Sequence, residues 1–153
     1  IGIISTARKI SKKELSFAKK TLEQWGLKVV YGDNIFKECN QFAGTDEQRA
    51  ADLQQMIDNP NIKAIICARG GYGTVRILDL IDFSRLQENP KWIAGYSDVT
   101  ALHSTLNNLR ISSLHSTMPI NFSSNTNNSL HSLKKALFGA KISYNFPKNE
   151  FKK

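Results

Sequence analysis

Cysteine is scarce in this sequence, which contains two, Cys39 and Cys67, among 153 residues. They form no CxxC spacing and stand near no cluster of histidines, so we predict neither a disulfide framework nor a metal site. Two free thiols are typical of a reducing compartment, and we therefore expect a cytoplasmic protein. Long hydrophobic runs are also missing. The longest, such as residues 64–68, are far too short to span a bilayer, so no membrane attachment is predicted.

Acidic residues are few relative to basic ones, 13 against 21, which gives a formal net charge of +8. The excess is concentrated near the two ends, since residues 8–20 contain six basic residues against Glu14 and residues 133–153 contain six against Glu150. Most of these residues are lysines, and aromatic residues are not interleaved with them as on nucleic-acid-binding surfaces. We interpret both segments as solvated faces and predict no nucleic-acid partner.

The composition, 41% hydrophobic and 22% charged, is typical of one globular domain. Strand-like and helix-like segments alternate along the chain, and two capping boxes, Ser11 with Glu14 and Thr45 with Gln48, predict helix starts. This alternation favours an α/β fold with a doubly wound, mostly parallel sheet and helices on both faces, in three layers. The predicted strands are residues 1–5, 27–31, 62–68, 92–95 and 113–116. The predicted helices run from Ser11 to Gly26, from Thr45 to Asn59, around residues 75–81, over 98–109 and over 130–138. Residues 121–129 are predicted as loop, and residues 142–146 as a strand or the start of a linker.

A sharp strand-to-helix turn, Gly95-Tyr96-Ser97-Asp98, places a serine at its tip. Such a turn holds a nucleophilic hydroxyl clear of the backbone and places the following amides at a helix N-terminus, where they can stabilise an oxyanion. The match to the G-x-S-x-G elbow is incomplete, because Val99 stands in place of the second glycine. Spacing alone leaves a structural alternative open, in which Ser97 or Asp98 caps the following helix.

A second unusual loop, residues 69–73, has the sequence Arg-Gly-Gly-Tyr-Gly. Its glycines allow backbone conformations closed to other residues and let a ligand approach the main chain. Three interpretations are open: a phosphate cradle, a wall of the pocket that Ser97 faces, or a plain tight turn. The loop lacks the pattern of a P-loop or a dinucleotide fingerprint, whereas Arg69 and Tyr72 are placed for contact with a ligand. Both loops follow strands directly, so we expect them to meet at the carboxyl edge of the sheet.

These segments resemble the N-terminal half of the L,D-carboxypeptidases, serine peptidases that trim cell-wall muropeptides and are grouped with the microcin-immunity peptidases. The resemblance rests on two specific blocks, residues 67–73 (CARGGYG) and residues 93–103 (IAGYSDVTALH). It extends to residues 43–53 and to His115, and so covers most of residues 1–120 in the family's order.

The resemblance implies a hydrolase with a Ser-His-Glu triad that works through an acyl-enzyme and needs no cofactor. Ser97 would be the nucleophile, and the backbone amides of Gly71 and Asp98 would form the oxyanion hole. The substrate would be a muropeptide or a similar peptide with a C-terminal D-amino acid, cleaved at the L-D bond, as in peptidoglycan recycling. The residues expected to contact this substrate are Arg69, Gly70 and Tyr72.

In the family, the Glu and His of the triad lie in a C-terminal domain. We therefore expect residues 1–140 to form the nucleophile-bearing domain and residues 141–153 to begin the interdomain linker. A serine without its base is a poor nucleophile, so this chain alone is expected to be inactive or nearly so. Family members often pair, which makes a homodimer of the full-length protein a further expectation.

The chain's own histidines are predicted to be structural or superficial. His103 lies nearly two helical turns beyond the serine of the elbow, His115 lies on a neighbouring strand, and His131 follows an Asn/Ser-rich loop. The sequence departs from the family after His115, where Ser116 and Thr117 stand in place of Gly and Pro.

Two other functions stay open at this point. An immunity peptidase of the same family, acting on a peptide–nucleotide conjugate, would need a nucleotide-stacking site that the sequence does not reveal. A non-catalytic domain could instead bind a phosphate- or carboxylate-bearing small molecule through the glycine loop and Arg69. A second domain that supplies a Glu and a His would favour the enzyme over the binding domain.

Overall fold

Five parallel strands form the centre of the computed structural model, which describes residues 1–144. The strands are β1 (Gly2–Ile4), β2 (Val30–Tyr31), β3 (Ala64–Cys67), β4 (Trp92–Gly95) and β5 (Leu114–His115). Their order across the sheet is β2-β1-β3-β4-β5. The order reverses between β1 and β3, and in open parallel sheets ligand crevices form at that point, beyond the carboxyl ends of the strands.

Helices cover both faces of this sheet, and two of them begin at the predicted capping boxes. The Ser11 hydroxyl accepts a hydrogen bond from the Glu14 amide at 3.3 Å, and the Thr45 hydroxyl accepts one from the Gln48 amide at 3.3 Å. The α-helices are α1 (Lys12–Gln24), α2 (Asp46–Asp58), α3 (Arg85–Glu88), α4 (Thr100–Asn108) and α5 (Asn127–Leu137). Short 3-10 helices cover Thr74–Leu80, Ser97–Val99 and Pro119–Ser124.

The sheet separates two hydrophobic cores, because successive side chains of a strand point to opposite faces. Ile4 and Ile65 pack in the core shared with α2 and α4, whereas Ile3 and Ile66 pack in the core shared with α1 and α5. All four are fully buried, and burial of each such side chain contributes about 2 kcal/mol. Burial on both faces explains why β3 has a continuous apolar sequence.

The predicted α/β class, with a parallel sheet and helices on both faces, is confirmed. The loop predicted over residues 121–129 is wrong, since Pro119–Ser124 is a 3-10 helix and α5 begins at Asn127. Phe122 explains the difference, because its buried ring lies 6.3 Å from the Trp25 ring and holds this polar segment against the end of α1.

Smaller differences concern short elements. The second strand is limited to β2, and the one-turn helix α3 was not predicted. Of residues 142–146, predicted as a strand or the start of a linker, 142–144 form neither helix nor strand, and 145–146 lie outside the described residues. Within the described part of the chain, no helix is both long and apolar enough to cross a membrane.

Candidate active site

Ser97 stands at the tip of the turn between β4 and α4. Its φ of +62° is a left-handed conformation that residues other than glycine seldom adopt, and its side chain is exposed. Such strained backbone persists where the surrounding fold over-determines it, most often at functional sites. The alternative in which a side chain of the turn caps the helix does not apply, since neither Ser97–Val99 nor α4 has a side-chain cap.

The glycine loop lies directly against this serine. A Cβ atom at Gly70 would stand 3.3 Å from the Cβ and 3.4 Å from the Oγ of Ser97, and 3.5 Å from the amide nitrogen of Asp98. The close approach of these two loops, which follow the neighbouring strands β3 and β4, leaves little room for a side chain at this position. In the structure, therefore, the two loops meet at the carboxyl edge of the sheet, as expected.

The amides of Gly71 and Asp98 are available for a ligand. Among residues 1–144, neither amide donates a hydrogen bond to a protein acceptor. Gly71 has a φ of +127° and its backbone is exposed beside the serine. An oxyanion hole needs backbone donors that are unpaired before the substrate binds, and both amides meet this condition. Their assignment to an oxyanion hole stays a prediction.

Hydrogen bonds lock the glycine loop to the serine turn. The carboxylate of Asp98 accepts a bond from the amide of Thr74 at 3.0 Å, which joins the end of one loop to the tip of the other. The hydroxyl of Thr74 in turn lies 2.7 Å from the hydroxyl of Thr6, in the loop that follows β1. Both threonines are fully buried, so these contacts are shielded from solvent. The side chain of Asp98 thus positions the loop that carries Gly71.

Arg49 of α2 holds the same loops from behind. Its side chain is fully buried, and its guanidinium donates to the carbonyls of Thr6 and Gly73, pairs with Asp46 and lies 4.9 Å from the centre of the Phe42 ring. A buried charge costs free energy unless it is paired in this way. This residue is not identified from the sequence, although a charged side chain on the apolar stripe of α2 indicates a buried ion pair.

Asp46 provides the negative charge that Arg49 requires. It also accepts hydrogen bonds from Nε of Arg76 at 2.9 and 3.1 Å. The hydrogen bond from Arg76, together with the positive charges of both arginines, holds the pKa of the Asp46 carboxyl below its ordinary value. This carboxylate therefore stays ionised at neutral pH and keeps the buried guanidinium in place.

A cavity of about 260 Å³ opens in front of Ser97. The charged residues that line it are Arg8 and Arg69, and no Asp or Glu is among the lining residues. Arg69 donates to the carbonyl of Lys9 at 3.1 Å and lies 3.9 Å from the carboxylate of Glu14, which holds it at the rim. No role is predicted from the sequence for Arg8, which belongs to the basic segment 8–20 interpreted as a solvated face. The residues that line the cavity are Arg8, Arg69, Gly70, Gly71, Tyr96, Ser97, Met118, Ile120 and Asn121.

Tyr72 is not among these residues, although the sequence predicts a contact with substrate. Its ring packs 6.3 Å from the ring of Phe42, and 52% of the residue is exposed. The predicted contacts Arg69 and Gly70 do lie at the cavity, and Tyr96 is an additional wall, with its hydroxyl donating to Asn121 at 3.1 Å.

Three larger cavities lie away from the serine. One of about 530 Å³ between β5 and α5 shares Tyr96 and Asn121 with the serine cavity. A second, about 820 Å³, lies at the amino edge of the sheet near Lys91 and Trp92, and a third, about 300 Å³, lies between α5 and residues 142–144. None of the three contains Ser97, so size does not mark the candidate site.

No histidine lines the serine cavity in the part of the chain that the structure describes. His103 uses both ring nitrogens elsewhere: Nε2 donates to the carbonyl of Gly95 at 3.0 Å, and Nδ1 lies 2.8 Å from the Ser113 hydroxyl. His115 packs against the Tyr96 ring at 6.3 Å, and His131 is exposed on α5. Among residues 1–144, therefore, no imidazole lines the cavity in front of Ser97.

The family model described as the LD-carboxypeptidase N-terminal domain, peptidase family S66, matches residues 1–116. This chain belongs to the LD-carboxypeptidase family. It is 41% identical over 106 residues to the probable murein peptide carboxypeptidase of Bacillus subtilis, covering 69% of this chain and 33% of that protein. The resemblance predicted from the two sequence blocks is thereby confirmed.

Solved structures of LD-carboxypeptidase relatives have the same fold. The muramoyltetrapeptide carboxypeptidase from Oxalobacter formigenes aligns with a TM-score of 0.79 and 27% identity, over 89% of this chain and 47% of that one. The microcin C7 self-immunity protein MccF, in complex with aspartyl sulfamoyl adenosine, aligns with a TM-score of 0.84 and 23% identity, over 96% and 47%. The chain spans about a third of the length of the curated relatives that it matches.

Proposed function

We propose that this chain is the nucleophile-bearing part of a serine-type L,D-carboxypeptidase that releases a C-terminal D-amino acid from muropeptides or similar peptides. The observation that carries the proposal is Ser97, exposed at a strained turn beside two unpaired backbone amides. The names of relatives, such as the probable murein peptide carboxypeptidase, support the substrate class. The two free thiols support a cytoplasmic location, where such peptides would be recycled.

The proposed reaction is acyl transfer to water. Oγ of Ser97 attacks the carbonyl carbon of the L-D peptide bond while a base takes its proton, and the resulting oxyanion accepts hydrogen bonds from the amides of Gly71 and Asp98. The intermediate collapses, the peptide C–N bond breaks, and the protonated amine of the terminal D-residue leaves. Water then hydrolyses the ester on Ser97 and regenerates the hydroxyl.

We further propose that residues 1–140 form the nucleophile domain, that residues 141–153 begin a linker, and that a second domain supplies the Glu and His of the triad. Residues 145–153 lie outside the described residues. The length of the relatives supports this division, as does the lack of a histidine at the serine cavity among residues 1–144. Without the base, this chain alone should turn over peptides at a negligible rate.

The test is covalent labelling of the full-length protein with a serine-directed phosphonate, followed by mapping of the adduct. We expect a single adduct on Ser97, its loss in Ser97→Ala, and unchanged labelling in Ser104→Ala, which alters an exposed serine on α4. The same Ser97→Ala variant should lose release of D-alanine from a peptide that ends in an L-D bond. Labelling elsewhere, or peptide trimming by residues 1–153 alone that requires Ser97, would contradict the proposal.

A further inference from the structure

Arg8 lies directly against the loop that carries the predicted oxyanion donor. It follows β1, beside the point between β1 and β3 where the strand order reverses. A Cβ atom at Gly71 would stand 2.6 Å from Cγ and 2.7 Å from Cδ of Arg8, so the stem of the arginine rests on the glycine backbone. Arg8 is also one of the residues that line the serine cavity.

The backbone of Arg8 is fixed on both sides, although its side chain is exposed. The Ser5 hydroxyl donates to the carbonyl of Arg8 at 2.6 Å, and Arg8 forms an antiparallel bridge with Phe42. Within residues 1–144 no carboxylate pairs with the guanidinium of Arg8, whereas the neighbouring Lys9 pairs with Glu38 at 2.5 Å. Arg8 therefore has a fixed backbone and a guanidinium whose donors are available.

The charge of the cavity favours an anion. Arg8 and Arg69 are its charged residues, and the nearby Asp98 carboxylate is already engaged by the Thr74 amide. Arg69 is held at the rim by the carbonyl of Lys9 and lies 3.9 Å from the carboxylate of Glu14, so of the two arginines Arg8 has the freer guanidinium. A planar guanidinium can bind a carboxylate through two parallel hydrogen bonds.

We propose that Arg8 binds the α-carboxylate of the residue that is released, with Arg69 as a second positive charge behind it; this inference rests on the proposed function. A carboxypeptidase attacks the carbonyl one residue before a free carboxylate. The group that recognises that carboxylate must therefore stand next to the oxyanion loop, which is where Arg8 lies. The interaction explains why cleavage would be restricted to the terminal bond.

The first experiment compares two matched substrates of the full-length enzyme, a peptide ending in D-alanine and the same peptide ending in D-alaninamide. We expect Arg8→Ala to lower kcat/KM for the free acid about 10- to 100-fold, and to change kcat/KM for the amide less than about threefold. Arg8→Lys should retain part of the preference for the acid. Lys9→Ala, which removes a cation paired outside the cavity, should leave both values unchanged. An equal loss on both substrates, or no loss on the acid, would overturn the assignment.

The second experiment does not depend on turnover. D-Alanine and D-alaninamide are titrated into this chain, and the NMR resonances of the Gly71 and Asp98 amides are followed. We expect D-alanine to shift both resonances at concentrations at least about tenfold lower than D-alaninamide, and Arg8→Ala to abolish the difference. Equal responses to the two probes, or an unchanged response in Arg8→Ala, would refute carboxylate binding by Arg8.

Together the experiments separate the two proposals. If Ser97 is labelled and D-alanine is released, but Arg8→Ala changes kcat/KM equally for the acid and the amide peptide, only the proposed role of Arg8 is refuted. If Ser97 is not labelled and neither peptide is cleaved, the proposed function fails, and the titration decides whether Arg8 binds a carboxylate.

Discussion

Gly70 is the residue on which the approach of the two loops depends. Its φ lies outside the left-handed region, so alanine fits its backbone without strain, yet an added methyl group would contact the Ser97 side chain at 3.3–3.4 Å. Space at the serine, and not backbone conformation, therefore favours glycine here.

We expect Gly70→Ala to change the free energy of unfolding by no more than about 1 kcal/mol. The same variant should slow phosphonate labelling of Ser97 about tenfold or more in the full-length protein, because displacement of a reacting group by a fraction of an ångström is costly. Urea denaturation and labelling kinetics measure the two effects. Labelling at the parent rate would mean that the contact does not constrain the serine.

Cys67 gives a second prediction at this scale. The residue is fully buried in β3, and burial raises the pKa of its thiol to about 12, so almost no thiolate is present at pH 8. Cys39 is partly exposed. A disulfide reagent should therefore modify one thiol in the native chain and two in guanidinium chloride, and Cys39→Ser should remove the native reaction. Fast modification of Cys67 in the native chain would contradict this.

Whether a residue of the site could be predicted from the sequence depends on how far away its partners lie along the chain. The juxtaposition of Ser97, Asp98 and the glycine loop could be predicted because each belongs to one contiguous motif that follows a strand, whereas their chemical roles stay predictions. The role of Arg49 could not, since it donates to carbonyls 24 and 43 positions away. The contact of Arg8 with Gly71 could not be predicted for the same reason, because it forms only when β1 and β3 pair.

Among the elements, α2 has a use beyond covering the sheet. Through Arg49 it connects the loops that follow β1 and β3, both of which reach the serine cavity. The position of the site thus depends on docking of a helix that contributes no residue to the cavity wall.

We expect Arg49→Met to lower the free energy of unfolding by about 3 kcal/mol, since it leaves two buried carbonyls without their donor and Asp46 with one of its two arginine partners. It should also slow labelling of Ser97 in the full-length protein. Arg76→Met is the matched control, because this arginine bonds the same carboxylate from an exposed position, where an ion pair contributes little to stability, and it should destabilise the fold much less than Arg49→Met. Equal effects of the two substitutions in urea denaturation would refute the special role of Arg49.

The helix starts were predictable from short patterns, as the two capping boxes demonstrate. The 3-10 helix Pro119–Ser124 was not, because its Asn- and Ser-rich composition is that of a loop. Its structure comes from Phe122, whose burial beside Trp25 depends on α1, about a hundred residues earlier in the chain. Local composition cannot report such a contact.

At the scale of the whole molecule, two carboxyl groups make stability depend on pH with opposite signs. The pKa of Asp46 is lowered by the Arg76 hydrogen bond and the arginine charges, so its contribution is present above its unfolded pKa and lost as pH falls. Burial raises the pKa of Asp52, although hydrogen bonds from Asn34 oppose the shift, so this group favours the folded state more as pH falls.

We expect Asp46→Asn to flatten the loss of unfolding free energy between about pH 4 and pH 2. Asp52→Asn should act above about pH 4, where it removes the gain in stability that the parent obtains as its buried carboxyl takes up a proton. Urea denaturation at a series of pH values measures both slopes. Curves for Asp46→Asn that run parallel to the parent at every pH would contradict the assignment of acid sensitivity to this carboxylate.

The hydrogen bond from the Thr74 amide to the Asp98 carboxylate brings a bonded backbone amide close to backbone amides that have no protein acceptor among residues 1–144. The amides of Gly71 and Asp98, without protein acceptors among residues 1–144, should exchange hydrogen for deuterium from the native state within seconds to minutes. The amide of Thr74, buried and bonded, should exchange only when the two loops separate. The exchange half-life of the Thr74 amide hydrogen therefore reports how often the two loops separate. A bound substrate analogue should lengthen this half-life and should also slow exchange at the amides of Gly71 and Asp98.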